Sequence, residues 1–156
     1  MTTTNRFSRR LILQGTGAVA LIGLGGISFA LAANDKNPRL AFEQKSVDDA
    51  VKALYGKTAE ASDKVKLDAP EIAENGSVVP IAVSAALADV TSITFLVAEN
   101  PNALVASYKI PAGTMPAIAN RIKMARTSNV IVVVEAGGKL YSATKEVKVT
   151  VGGCGG

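Results

Sequence analysis

The reactive chemistry of this 156-residue chain is concentrated in its one thiol, Cys154, in the terminal run Val151-Gly152-Gly153-Cys154-Gly155-Gly156. A thiolate attacks electrophilic sulfur and carbon and can hold further sulfur atoms as persulfides or mixed disulfides. The rest of the composition removes alternatives. The chain has no His, so it has no Ser-His-Asp or Cys-His constellation and no imidazole metal ligand. A single Cys rules out an internal disulfide, a CxxC redox pair and a cysteine zinc site within the chain. Aromatic residues make up 4%, too few for a base-stacking nucleic-acid surface.

The position of the thiol matters as much as its type. Free cysteines are usually buried and inert, but Cys154 follows the final strand pattern and has two glycines on either side. Glycine loses the most entropy on ordering, so Gly152, Gly153, Gly155 and Gly156 are expected to leave the segment a mobile arm. Fully extended, five residues span about 16–18 Å, and only Cys154 brings a side chain into a narrow channel. The cation nearest to Cys154 in sequence is Lys148, and the chain's own carboxylate lies just beyond it. Activation of the thiol is therefore expected to come from a partner's site. A prenylation box needs Cys fourth from the end, and Cys154 is third. A lipoprotein cysteine sits at the signal cleavage site, not at the C-terminus. A ubiquitin-like carrier also ends in Gly-Gly, but its cytoplasmic activation conflicts with the leader described next.

The net charge of +4 is uneven, since Arg6, Arg9 and Arg10 are the only charges before Asp35. Without them the balance is 14 basic against 13 acidic residues, so no nucleic-acid inference follows. Those arginines open an uncharged stretch from Leu11 to Asn34 that contains Ala30-Leu31-Ala32, a small-x-small cleavage pattern. Ser8-Arg9-Arg10-x-Ile12-Leu13 resembles the twin-arginine export signal, in which both arginines are read by a receptor. The stretch Leu11–Ala33 is also long enough to span a bilayer, but its glycines, Gln14 and Thr16 weaken it as an anchor. The reading taken is a cleaved leader over residues 1–32 and a periplasmic mature chain, in a compartment that is oxidising.

The body that must position the arm reads as all-β. Ser46 as N-cap, Asp49 three residues on, and Val47, Ala50, Val51 and Leu54 at i, i+3, i+4 and i+7 predict a short amphipathic helix closed by Gly56. It is expected to dock on the body as a flap. After Thr58, short β patterns follow: Val65–Leu67, Val78–Ala86 behind the Asn75-Gly76 turn, Ser92–Ala98, Ala103–Ile110, Ile118–Arg126, Asn129–Glu135 and Leu140–Val151. These predict an immunoglobulin-like β-sandwich of about seven strands with a short N-terminal helix. The divisions are a helical extension over 33–58, the sandwich over 59–151 and the arm over 152–156. Ala136-Gly137-Gly138-Lys139 reads as a hairpin; it lacks the following helix of a phosphate loop. Arg121, Lys123 and Arg126 are expected as a basic stripe on one strand, by default a solvated face, with a docking patch as the alternative.

The run Glu146-Val147-Lys148-Val149-Thr150-Val151-Gly152-Gly153-Cys154-Gly155-Gly156 resembles the C-terminus of the SoxY family. Further similarity lies in Ala73-Glu74-Asn75-Gly76-Ser77-Val78-Val79-Pro80, Arg121–Ala125, Ser128-Asn129-Val130 and Lys139–Ala143. The match covers most of the mature chain. The resemblance implies a sulfur carrier of a thiosulfate-oxidising system rather than an enzyme, with no cofactor or metal and no nucleic-acid partner. It implies no stable membrane association after leader removal. It also implies SoxZ as the subunit of a heterodimer, with the SoxAX cytochrome, the SoxB hydrolase and, where present, the SoxCD sulfane dehydrogenase as visiting enzymes. Two other classes stay open at this point: an exported binding or adhesion module, for which Cys154→Ser would be silent, and a self-sufficient enzyme, for which no second nucleophile or base stands near Cys154.

Overall fold

The computed structural model describes residues 38–151. They form two helices, α1 (Pro38–Phe42) and α2 (Val47–Tyr55), and nine strands. The strands are β1 (Glu60–Ala61), β2 (Val65–Asp68), β3 (Ile72–Asn75), β4 (Val79–Ala85), β5 (Val90–Val97), β6 (Leu104–Lys109), β7 (Ala117–Ile122), β8 (Ser128–Ala136) and β9 (Lys139–Val151). The larger sheet has the order β1-β9-β8-β5-β6, with β3 also paired to β9, and the smaller has the order β2-β4-β7. The two pack as the immunoglobulin-like sandwich that the strand spacing predicts.

The main core lies between the sheets. Ile93, Phe95 and Val97 of β5, Val130, Val132 and Val134 of β8, and Val79, Ile81 and Val83 of β4 are all nearly inaccessible. The continuous apolar run of β8 has a direct cause, because its opposite face is covered as well. Val133 joins Leu96, Leu104 and Leu140 under Ala41, Ala50 and Val51 of the two helices. A strand buried on both faces has no polar side to alternate with.

The helical cover follows the local chemistry. Ser46 Oγ accepts from the Asp49 amide at 3.1 Å, and Gly56 closes the last turn in the left-handed conformation at φ 69°, the cap geometry that glycine permits. At the end of α2 the Tyr55 hydroxyl lies 2.6 Å from Thr94 Oγ1 and 2.9 Å from Ser92 Oγ, and Thr94 Oγ1 lies 2.8 Å from Ser107 Oγ. These bonds account for the two polar residues buried on the outer face of β5.

Three features depart from the sequence reading. The strands number nine among the described residues, rather than about seven, because β1 and β3 are short additions that pair parallel to β9. Helix α1 precedes the expected helix. Strand β7 ends at Ile122, not Arg126. Beyond it the Met124 amide donates to the Gly76 carbonyl at 2.7 Å, and Asn100 Nδ2 donates to the Lys123 carbonyl at 2.8 Å, so the chain leaves the β4 ladder. The basic stripe is therefore not on one strand: Arg121 lies on β7, while Lys123 and Arg126 lie in the following loop.

Candidate functional site

Strand β9 is the longest in the fold at 13 residues, and it is the element that leads to the tail. It starts from the Gly137-Gly138 hairpin, whose residues have φ of 55° and 75°. That double left-handed turn is cheap for glycine and sets the β8–β9 register. The ladder runs from Ala136↔Lys139 to Ser128↔Val147. At that point β8 begins, so residues 148–151 of β9 extend past their neighbour.

The overhang is splinted rather than frayed. On the edge away from β8, β3 pairs with it through Ile72↔Lys148, Ala73↔Val149 and Asn75↔Val151. The Lys148 amide donates to the Glu71 carbonyl at 2.9 Å, and the Gly76 amide donates to the Val151 carbonyl at 2.8 Å. Thr150 Oγ1 donates to the Glu74 carbonyl at 3.0 Å. On the β8 side one side chain continues the ladder, with the Val149 amide donating to Thr127 Oγ1 at 2.9 Å. An unpaired four-residue overhang would lose its ladder bonds to water; these bonds hold it extended to Val151.

The loops at this end are tied to one another. Asn100 Oδ1 accepts from the Ala125 amide at 2.9 Å while its Nδ2 holds the Lys123 carbonyl. The Ser77 amide donates to Asn75 Oδ1 at 2.8 Å, an Asx turn. Gly76, buried in the described structure, accepts from Met124 and donates to Val151, so it links the β7–β8 loop directly to the end of β9. Arg126 Nε stands 3.9 Å from Glu99 Oε2, with both side chains mostly exposed; a pair of that kind contributes about 0–1 kcal/mol.

Elsewhere the described residues offer little chemistry. An open groove of about 670 Å³ crosses the outer face of the smaller sheet, lined by Asp68, Pro70, Pro80, Ala82, Ala119 and Arg121 among others, and its walls carry no thiol or hydroxyl. No group of three His, Cys, Asp or Glu side chains forms a metal site among the described residues. No helix among them is long and apolar enough to cross a membrane.

Of the residues singled out in the sequence, Cys154, Gly152, Gly153, Gly155 and Gly156, and the leader residues Arg9 and Arg10, lie outside the described residues. The structure contributes the platform from which the tail departs. Thr127, Gly76 and Asn100 were not legible as parts of it. Asn75-Gly76 is visible in sequence as a turn, but nothing in a loop threonine foretells a bond to the next strand's amide.

A small two-sheet sandwich whose longest strand is held to its last residue and continues into a Gly-Gly-Cys-Gly-Gly tail defines the class. The family model of sulfur oxidation protein SoxY matches residues 51–154, and the chain belongs to the SoxY family. The solved structure of the sulfur carrier protein SoxY from Chlorobium limicola f thiosulfatophilum is 41% identical, with a TM-score of 0.62, over 68% of this chain and 97% of that one. A superoxide reductase (neelaredoxin) from Ignicoccus hospitalis is 18% identical, with a TM-score of 0.48, over 55% of this chain and 80% of that one. No curated protein matches the chain.

Proposed function

We propose that this protein is an exported sulfur carrier that holds thiosulfate-derived intermediates on Cys154 and presents them to partner enzymes without catalysing their conversion itself. The observation that carries this reading is the SoxY-family match extending through Cys154, joined to a last strand tied by hydrogen bonds as far as Val151, three residues before the thiol. The relative that is 41% identical, the sulfur carrier protein SoxY from Chlorobium limicola f thiosulfatophilum, is in keeping with it.

In this mechanism a haem partner, SoxAX, couples thiosulfate to the thiol. The S–H bond is lost, an S–S bond forms, a proton leaves and the cytochrome takes two electrons. SoxB then hydrolyses the terminal sulfone, releasing sulfate and leaving a persulfide. Where SoxCD is present, the outer sulfur is oxidised further before hydrolysis frees the thiol. SoxZ completes a heterodimer with this chain. The twin-arginine leader, with Arg9 and Arg10, delivers the chain to the periplasm. Gly152, Gly153, Gly155 and Gly156 bring no side chain beside the thiol, so that it can enter each enzyme in turn.

Intact mass spectrometry of periplasmic protein tests the reading. The expected result is loss of the leader, together with adducts of about +32 and about +112 Da on Cys154 for persulfide and thiosulfonate sulfur. Cys154→Ser is expected to carry neither adduct and to support no thiosulfate oxidation. Full activity of that variant overturns the carrier role.

A further inference from the structure

We propose that Asn75 is a site of spontaneous deamidation gated by the end of β9: it reacts only in molecules whose Val151 has parted from Gly76, and the isoaspartyl product cannot rebuild the join. The inference lies outside the carrier reading, because the reaction consumes water alone. Asn75-Gly76 is the only asparagine–glycine pair in the chain. Cyclisation at an asparagine needs the backbone nitrogen of the next residue to bond the side-chain Cγ. A side chain on that next residue crowds the attack, and glycine brings none. Asn100 is followed by Pro101, which has no N–H to give up. Asn102, Asn120 and Asn129 are followed by Ala103, Arg121 and Val130. The step needs no oxidant. The Gly76 nitrogen loses its proton and joins Cγ, the bond from Cγ to the side-chain nitrogen breaks, and ammonia leaves. Water then opens the five-membered ring at one carbonyl or the other, giving aspartate or isoaspartate.

The closed fold blocks the first step. Asn75 is exposed, so water and hydroxide reach its side chain, but Gly76 is buried. The Gly76 amide donates to the Val151 carbonyl at 2.8 Å, so its nitrogen is engaged. Pairing with Val151 keeps Asn75 extended at the end of β3, which turns the Gly76 nitrogen away from Cγ. The Ser77 amide holds Asn75 Oδ1 at 2.8 Å. The first two restraints depend on the join to Val151, which lies past the end of β8 and is 62% exposed. Such strand ends open far more often than the core does. Isoaspartate then puts an extra methylene into the main chain. The step from Ala73↔Val149 to Asn75↔Val151 no longer matches, and Gly76 cannot both donate to Val151 and accept from the Met124 amide at 2.7 Å. Plain aspartate keeps the backbone and the oxygen that Ser77 needs. A change at one side chain thus releases the strand end that leads to the tail.

The test holds the full mature chain, with SoxZ, at mildly alkaline pH. The peptide carrying Asn75 is followed by the mass gained when an amide becomes an acid, and isoaspartyl methyltransferase counts the isoaspartate. Exchange of the Gly76 amide is measured on the same samples. The wild type is expected to deamidate about tenfold slower, or more, than a free peptide of residues 72–79. Thr150→Val removes the hydroxyl bond to the Glu74 carbonyl and should speed Gly76 exchange and deamidation together, by about fivefold. Urea below the unfolding midpoint opens the strand end in every background, and the two rates should climb with the same slope. Asn75→Gln should give no product in the same period. In purified isoaspartyl protein the Met124 amide should exchange about tenfold faster, while Asn75→Asp keeps the wild-type rate. Deamidation of the wild type at the free-peptide rate, none in any background, or a rate that stays flat while Gly76 exchange climbs overturns the gate. An isoaspartyl product with wild-type Met124 protection overturns the loss of the join.

Discussion

At the scale of single residues, the chemistry proposed for Cys154 depends on its neighbours being unable to obstruct it. Replacing Gly153 or Gly155 with Val adds a branched side chain that a narrow channel must accommodate. Such variants are expected to melt like the wild type and to lose turnover with partner enzymes; unchanged turnover would count against channel entry. No cation lies closer in sequence to the thiol than Lys148, so iodoacetamide should alkylate Cys154 of the isolated heterodimer at the rate of an ordinary exposed cysteine. Rapid alkylation at acidic pH would show that activation is built into the carrier. Thr127 acts through its oxygen alone, by accepting from the Val149 amide. Thr127→Val keeps the shape and removes the acceptor, at an expected cost of about 1 kcal/mol. Exchange of the Val149 amide should speed up about fivefold, and Thr127→Ser should restore protection.

At the scale of elements, β9 and α2 show how far local pattern carries. Helix α2 was legible from Ser46 to Gly56 because its cap, apolar face and stop signal are all local in sequence. Its attachment was not, since Tyr55 reaches Ser92 and Thr94, 37 and 39 residues away. Tyr55→Phe leaves those hydroxyls without that partner, and the expected loss is about 1–2 kcal/mol, read as a lower urea midpoint with faster proteolysis of the segment before β1. Strands β1 and β3 escaped the sequence reading for a physical reason. Each is stabilised by pairing with β9 rather than by an alternating apolar pattern, and only Ala73 of their six residues is buried. Strand β7 was read too long because Ile122 and Met124 are both buried and keep the alternation going, although the backbone has already left the ladder.

At the scale of the whole molecule, the sandwich holds one strand end still and leaves the reactive residue beyond it. That arrangement demands a rigid core, and the central strands β5 and β8 of the larger sheet are largely buried on both faces to provide one. Phe95 sits at its centre, fully buried and edge-on to Tyr108 at 6.2 Å between ring centroids. Phe95→Ala should cost about 3–5 kcal/mol, a large share of the about 5–15 kcal/mol typical of a domain. Denaturant titration measures it directly, and a loss below about 1 kcal/mol would mean that the site collapses to fill the space. Removing residues 38–56 would uncover Leu96, Val133 and Leu140, and the truncated chain is expected to self-associate, as read by light scattering.

Sequence alone determined the features that depend on residue type and short spacing: a lone thiol among glycines, the capped helix, the Gly-Gly hairpin, the all-β body and the SoxY resemblance. The tertiary structure decided which distant backbones meet. It placed Gly76 and Thr127 against the end of β9, moved Lys123 and Arg126 off the strand, and gathered Val78, Asn100 and Val151 at one end of the sandwich. Parallel pairing across some 75 residues and a single side-chain acceptor leave no periodic trace in a sequence. Their energy comes from partners that only the fold brings into contact.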